Sequence, residues 1–305
     1  MGRFLVIGAL SVALCAERGR PSTLKVPSTL GALELSDIVW VPALARYVLV
    51  TDESPFLVTM NADGVLDGAP LRIPGVESLD DAEALASGPD GSIFLATSHS
   101  PNKKGVLKDS RRKLLWLGFA KGAPVVKGRL DLTLVRDAEG RSIQELVCGA
   151  AIEPLDVEAV AFHEGALLVG LKSPLAAGGR AALVQLANIE HAFENGAVAP
   201  HDVSVFARPL LKVTVKNGQR VSQGISALLE LRDGRWLIGA NAPKWGPGDE
   251  GGALWLFDGK TETLVAHFDE LKPEGVTLSN DSDAVMVVFD EGASAPKWAR
   301  FPLPR

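Results

Sequence analysis

The sequence is poor in cysteine and in concentrated positive charge. Cys15 and Cys148 are its two cysteines. Cys15 falls in a segment expected to be removed, so Cys148 has no partner for a disulfide in the mature chain. No run of Lys and Arg is longer than 111–113, and the formal net charge is −6. The sequence therefore offers no basic surface for the phosphate backbone, and we exclude nucleic acids as partners.

Several catalytic and cofactor motifs are also missing. There is no Gly-x-Ser-x-Gly elbow for a serine nucleophile. No Walker loop is present, and no Gly-x-Gly-x-x-Gly segment directly follows a predicted strand. His163, His191, His201 and His267 do not have the spacing of zinc ligands. These absences disfavour serine hydrolases, nucleotide cofactors and zinc.

Residues 1–16 have the pattern of an export signal. Arg3 gives a positive start, residues 4–14 are apolar, and Cys15-Ala16 offer small residues for cleavage. The apolar run is shorter than the roughly 20 residues that span a bilayer. We expect a periplasmic or secreted protein whose mature chain has no transmembrane helix. Two alternatives remain open: lipidation of Cys15, and a first strand in a cytosolic protein.

The remaining chain repeats one unit, a pair of short apolar strands joined by a tight turn. The five repeats lie at residues 36–52, 82–99, 157–172, 226–241 and 274–290. Further strand-like stretches follow each pair, and near-continuous apolar strands are typical of sheets buried on both faces. The pattern predicts an all-β propeller of about five blades, with a β-sandwich as the alternative.

The ends of the chain and its long loops complete this prediction. Residues 23–26 lack a hairpin of their own, and 297–301 follow the last hairpin. We expect these two segments to pair, which would close the ring of a single domain over residues 23–305 and remove its free edge. The long loops at 137–154 and 189–223 each have room for a sixth, degenerate blade.

A resemblance to a known family rests on three related strand starts. They read Asp-Ala-Glu-Ala-Leu at 81–85, Leu-Asp-Val-Glu-Ala-Val at 155–160 and Lys-Pro-Glu-Gly-Val at 272–276. With Val-Gly-Leu-Lys-Ser-Pro-Leu at 169–175, they resemble a bacterial β-propeller family related to the phytase-like (esterase-like) propellers. The resemblance implies an exported propeller with ester or phosphate-ester hydrolysis as its activity. Ser226 stands where the pattern has an acid, so a complete ring of carboxylates is in doubt.

Strand pairing predicts where the polar residues meet. In an antiparallel hairpin the start of the first strand lies beside the end of the second. The first strands should therefore form an inner ring around the axis, made of Asp37, Glu83, Glu158, Ser226 and Glu274. The ends of the second strands should add Asp52, His99, Lys172, Asn241, Lys244 and Asp290, and the preceding acids Asp81 and Asp156 should lie close by.

Converging carboxylates raise one another's pKa and need neutralisation. Three devices would serve. Glu83, Glu158 and Glu274 could hold Ca²⁺ or Mg²⁺, Lys172 or Lys244 could pair with the acids, or a cationic ligand could bind. The sequence does not choose among them.

The chemistry expected at this ring is hydrolysis of a small ester or phosphoester. Glu83 or Glu158 would act as general base to a water, His99 would donate a proton, and Lys172 would hold an anionic oxygen. The basic loop at 98–112 would suit a polar or phosphorylated ligand, and Trp245 could cover the site. The alternative is a propeller without catalytic activity that binds a ligand or a protein partner through the same face.

Overall fold

The computed structural model describes residues 19–52, 55–150, 153–215, 217–242, 251–290 and 296–304. The predicted export signal at 1–16 and the loop that carries Lys244 and Trp245 lie outside these ranges. The described part of the chain forms five four-stranded antiparallel sheets and one two-stranded hairpin. Its helices are too short or too polar to cross a membrane.

Each four-stranded sheet is one blade of a propeller, and the described residues form five blades. The first blade consists of β2 (Leu35–Val41), β3 (Arg46–Thr51), β4 (Phe56–Met60) and β5 (Leu71–Arg72). The second consists of β6 (Ala82–Ser87), β7 (Ile93–Thr97), β8 (Leu114–Ala120) and β9 (Ala123–Leu130). The third consists of β10 (Asp156–His163), β11 (Ala166–Ala176), β12 (Arg180–Leu186) and β13 (Val203–Ala207). The fourth blade consists of β16 (Gly224–Glu230), β17 (Trp236–Asn241), β18 (Gly252–Phe257) and β19 (Glu262–Phe268).

The fifth blade closes the ring with both ends of the chain. It contains β20 (Lys272–Leu278), β21 (Ala284–Asp290) and β22 (Lys297–Pro302), and its outer strand is β1 (Ser22–Thr23). In the β1–β22 pair, Ser22 lies opposite Trp298 and Thr23 opposite Lys297. The predicted closure is confirmed.

The first strand of each blade lies nearest the axis. Strands β2, β6, β10, β16 and β20 contact one another in cyclic order. Adjacent blades pack on one another through five apolar clusters, one at each interface. Val48 and Leu95, for example, belong to the cluster between the first two blades. Each blade is therefore buried on both faces, which explains why its strands are almost continuously apolar.

The two long loops contain short local structure. The first carries the helix α1 (Ile143–Cys148), which begins with a reciprocal capping box between Ser142 and Glu145. The second carries α2 (Ile189–Asn195) and the hairpin formed by β14 (Lys212–Thr214) and β15 (Arg220–Ser222). The sixth blade that these loops could have held is absent from the described residues.

Candidate functional site

A register shift recurs at the start of every inner strand. In each blade, one residue of the inner strand is skipped in the pairing with the second strand. Such a shift, as in a β-bulge, turns one side chain out of the regular alternation. The skipped residues are Ser36, Glu83, Glu158, Ser226 and Glu274.

Asp37 was expected in this ring, but the shift in β2 falls one residue earlier, at Ser36. The buried Asp37 carboxylate accepts hydrogen bonds from the backbone N–H of Ile38 at 2.7 Å and of Leu85 at 2.6 Å. Burial raises the pKa of Asp37 well above its usual value, although these hydrogen bonds oppose the shift. Asp37 therefore joins the first blade to the second and is not among the residues that line the axial cavity.

Ser226 and Asn241 have a similar bracing position between the fourth and fifth blades. Ser226 Oγ donates to the carbonyl oxygen of Pro273 at 2.6 Å, and Asn241 Nδ2 donates to the same oxygen at 3.3 Å. Both side chains are buried. Their hydrogen bonds point at a neighbouring inner strand, which corrects the expectation that they line the ligand site.

An axial cavity of about 70 Å³ lies on the face where the inner strands begin. It brings together Glu83, Glu158 and Glu274 with Asp52, Lys172 and Asp290 of the predicted second ring. Its other lining residues are Glu34, Leu35, Ser36 and Lys272. The predicted convergence of the inner-strand acids is therefore present in the structure, whereas their roles stay predictions.

Lys172 forms an ion pair inside this cavity. Its Nζ lies 2.6 Å from Glu158 Oε1, and both side chains are almost fully buried. Burial alone would lower the pKa of Lys172, but the charge of Glu158, followed by that of Glu274, outweighs it and raises the pKa well above its usual value. Lys172 is thus a fixed cation, and pairing with a lysine is one of the neutralising devices that the structure uses.

A second group of acids lies beside this pair. One carboxylate oxygen from each of Asp52, Asp81 and Glu83 lies within 4.8 Å of the others. Burial raises the pKa of Asp52 to about 7, with the hydrogen bond from Ser36 opposing the shift and the charge of Asp81 adding to it. Burial, then the charge of Asp52, also raises the pKa of Glu83 well above its usual value. These three oxygens could hold one hard cation.

Arg111 holds Asp81 in place. The buried guanidinium pairs with the Asp81 carboxylate, and its Nε donates to the carbonyl oxygen of Ser100 at 2.8 Å. Asp81 itself has a left-handed backbone conformation with φ of 63°. The pair therefore holds the Asp81 carboxylate in one position, with 14% of its side chain exposed.

The basic loop at 98–112 presents less unpaired positive charge than its sequence suggested. Besides Arg111, Lys108 pairs with Asp80 at 2.9 Å and Arg112 pairs with Asp109. Lys103 and Lys104 stay exposed. The expected positive surface for a phosphorylated ligand is thus largely consumed by internal ion pairs.

His99 lies away from the cavity. Its left-handed backbone, with φ of 55°, directs the ring so that Nδ1 donates to the Thr97 carbonyl oxygen at 2.7 Å. Nε2 is buried without a partner among the described residues. Burial lowers the pKa of His99 to about 4, so the ring is neutral at pH 7. This placement contradicts its expected position as a proton donor in the second ring.

The remaining predicted residues lie at or beyond the edge of the site. Asp156 is half-buried at the start of β10, and its charge contributes to the raised pKa of Lys172. Lys244 lies outside the described residues. Sequence reasoning missed Ser36, Glu34 and Lys272, all of which line the cavity. The sequence pattern pointed to Asp37 instead of Ser36, because Asp37 directly precedes an apolar pair as Glu83 and Glu158 do.

The cavity carries excess negative charge. Six carboxylates line it, from Glu34, Asp52, Glu83, Glu158, Glu274 and Asp290, against the two ammonium groups of Lys172 and Lys272. With all groups ionised, the formal charge is therefore −4. Burial, followed by the charges of neighbouring carboxylates, raises the pKa values of Asp52, Glu83 and Glu274.

Comparison with known proteins supports the fold. No protein-family model and no curated protein matches the chain. A solved structure named as an oxidoreductase (glucose dehydrogenase) from Thermus thermophilus is 12% identical, with a TM-score of 0.50, and the match covers 93% of this chain and 99% of that chain. A gluconolactonase from Xanthomonas campestris is 12% identical, with a TM-score of 0.49, over 95% of this chain and 93% of that chain.

At 12% identity the comparison shows the fold, whereas the activity has to be argued from the residues of the site. The chain is a β-propeller with the blade arrangement predicted for it. The phytase-like resemblance in particular has no support among these neighbours.

Proposed function

We propose that the protein is a hydrolase of small uncharged esters, with its reaction centre at the axial carboxylates. The observation that carries the proposal is the cluster of Asp52, Asp81 and the buried Glu83. Their oxygens lie within 4.8 Å of one another, and Asp52 has a pKa of about 7. A carboxyl group with that pKa exchanges a proton at neutral pH, which is the property required of a general acid–base catalyst.

The residues present also fit a divalent cation. Besides the trio, Glu158 Oε2 is buried and has no partner among the described residues. Carboxylate oxygens are the ligands that Ca²⁺ and Mg²⁺ prefer, and about 70 Å³ is enough for an ion with a small number of waters. Asp52, Asp81 and Glu83 would hold the ion. When bound, it would polarise the ester carbonyl and offset part of the negative charge.

The chain's own residues account for the proton movements. Glu83 or Asp52, in its ionised form, takes a proton from water as the water oxygen bonds to the ester carbonyl carbon. The same carboxyl group returns that proton to the alcohol oxygen as the carbon–oxygen bond breaks. An acid and an alcohol result, and no redox partner is needed. The ion pair between Lys172 and Glu158 holds both side chains in place in the cavity lining.

Charge favours an uncharged ester over a phosphoester. With all groups ionised, the lining residues carry a formal charge of −4, and one divalent cation would reduce it to about −2. A phosphate group would bring further negative charge into a buried site, and the loop that was expected to attract it is mostly paired internally.

The same excess charge supports a second candidate, a propeller without catalytic activity that binds a cationic ligand at this face. A panel of uncharged carboxylate esters separates the two. Turnover supports the hydrolase, whereas saturable binding of cations without turnover supports the binding protein.

We also propose a periplasmic or secreted location, which a mature chain lacking residues 1–16 by mass spectrometry would support.

Metal binding should depend on pH. The Asp52 pKa of about 7 lies above its unfolded value of 3.8, so the folded chain retains a proton that the unfolded chain has lost, and stability falls as pH rises through about 7. A cation replaces that proton. We expect excess Ca²⁺ to raise the melting temperature by about 5 °C at pH 8 and by about 1 °C or less at pH 5.

The control variants for this melting experiment are Asp52→Asn and Asp63→Asn. Asp63 is an exposed turn residue away from the cavity, so its variant should respond to Ca²⁺ like the wild type. Asp52→Asn should lose most of the shift at pH 8. Equal shifts at the two pH values, or an undiminished shift in Asp52→Asn, would count against the cation site.

A further inference from the structure

A second cavity, the lower cavity, opens on the opposite face of the propeller, and the axial site does not use it. It has a volume of about 430 Å³ and is formed by the ends of the inner strands and the turns that follow them. It shares no lining residue with the axial cavity. Its volume falls in the range of roughly 300–1,000 Å³ that is typical of small-molecule sites.

The inner strands give the lower cavity an apolar floor. Two positions beyond the skipped residue of each strand, an aliphatic side chain lines the cavity and is buried. These five side chains belong to Ile38, Leu85, Val160, Leu228 and Val276. These five aliphatic side chains lie between the two cavities along the inner strands. The polar end of the channel is therefore separated from its apolar end.

The next residues outward on the same faces form the rim. Four positions beyond the skipped residue stand Trp40, Ser87, Phe162, Glu230 and Leu278. Trp40 and Phe162 are partly exposed, so their rings can contact a ligand. The wall is thus aromatic and aliphatic, with serine hydroxyls at its edge.

Glu230 is the one charged residue among the described residues that line the lower cavity. Its Oε2 accepts a hydrogen bond from His163 Nδ1 at 2.9 Å. The His163 ring is in turn fixed edge-on against Trp236, with centroids 5.4 Å apart. The carboxylate is therefore held in one place by a histidine, and Oε1 takes part in no hydrogen bond among the described residues.

We propose that the lower cavity binds a small organic cation: an ammonium group attached to an apolar body. The apolar part would lie on the aliphatic floor, where burial is favourable. The ammonium would pair with Glu230 at the rim, and the Trp40 face would favour a cation over a neutral group. The site is independent of the ester hydrolysis proposed above, because no residue is shared between them.

The test compares two probes of equal size, protonated 4-phenylbutylamine and uncharged 4-phenylbutan-1-ol, by calorimetric titration of the full chain. We expect the ammonium to bind about tenfold more tightly than the alcohol. In Glu230→Gln the ratio should fall to about one, since the amide oxygen can still accept the His163 hydrogen bond. Ser87→Trp, at an exposed rim position, should remove binding of both probes.

Glu83→Gln serves as the matched control for the axial site, whose negative charge also attracts cations. It should leave both affinities unchanged. The proposal is overturned if neither probe binds the wild type at millimolar concentration, or if both bind equally. It is also overturned if Glu83→Gln abolishes the preference while Glu230→Gln retains it, or if Ser87→Trp binds as the wild type does.

Discussion

Replacing Glu83 by Gln is expected to lower kcat/KM for uncharged esters by at least about 100-fold, because a positioned acid–base group contributes roughly 10²- to 10⁴-fold. Glu83 is buried, lines the axial cavity and lies next to Asp52. The amide has nearly the same shape but cannot accept a proton from water. Steady-state kinetics on an ester panel, with circular dichroism to verify folding, measures the effect.

Glu164→Gln is the control for this experiment. Glu164 lies in the turn between β10 and β11, with 86% of its side chain exposed. Its replacement should leave turnover within about twofold of the wild type. If Glu83→Gln retained most of the activity, Asp52 would have to act as the base instead, and a catalytic role for Glu83 would be wrong.

Replacing Lys172 by Met is expected to lower the free energy of unfolding by about 3–5 kcal/mol, the usual cost of removing one partner from a buried ion pair. Glu158 would then remain buried next to Glu274 without its counter-charge. Chemical denaturation of the purified protein measures the loss. Lys121→Met, at an exposed turn, should change stability by less than about 0.5 kcal/mol.

The double variant Glu158→Gln/Lys172→Met tests the reason for this loss. If the cost comes from an uncompensated carboxylate, removing that charge should restore at least half of the lost stability, since replacing both partners of a buried pair is often neutral. Additive losses in the double variant would show that the pair stabilises the fold by itself, and the electrostatic explanation would be wrong.

The propeller was predictable because its signals are local. Each hairpin has its own turn residues, such as Asp233-Gly234, and each strand is apolar on both faces because the blades pack on one another. Closure was predictable for the same reason: β1 has no hairpin partner nearby in the sequence. The sequence alone does not exclude a sixth blade, because loop length does not distinguish a blade from the short helices α1 and α2.

The site was predictable in its location but less so in its members. The convergence of Glu83, Glu158 and Glu274 follows from antiparallel pairing within each blade together with the arrangement of the blades around one axis. A single-residue register shift decided between Ser36 and Asp37, and such a shift has no clear sequence signal. The left-handed backbone of His99, which directs its side chain away from the cavity, was likewise not predicted from the sequence.

The basic loop shows a different limit. A count of lysines and arginines predicts a positive surface, but the ion pairs of Arg111, Lys108 and Arg112 depend on which acids the fold places beside them. The lower cavity was missed for a similar reason. Its aliphatic floor is made of one residue per blade, and only the common register of the five inner strands brings these residues together.

The most direct measurement of the axial site is an anomalous difference map from crystals of the full chain soaked with Mn²⁺, a stand-in for Ca²⁺ or Mg²⁺. The account predicts one peak within about 2.5 Å of oxygens from Asp52, Asp81 and Glu83, and its loss in Glu83→Gln crystals. A map without a peak between these three carboxylates, at Mn²⁺ concentrations that label other surface sites, would contradict it.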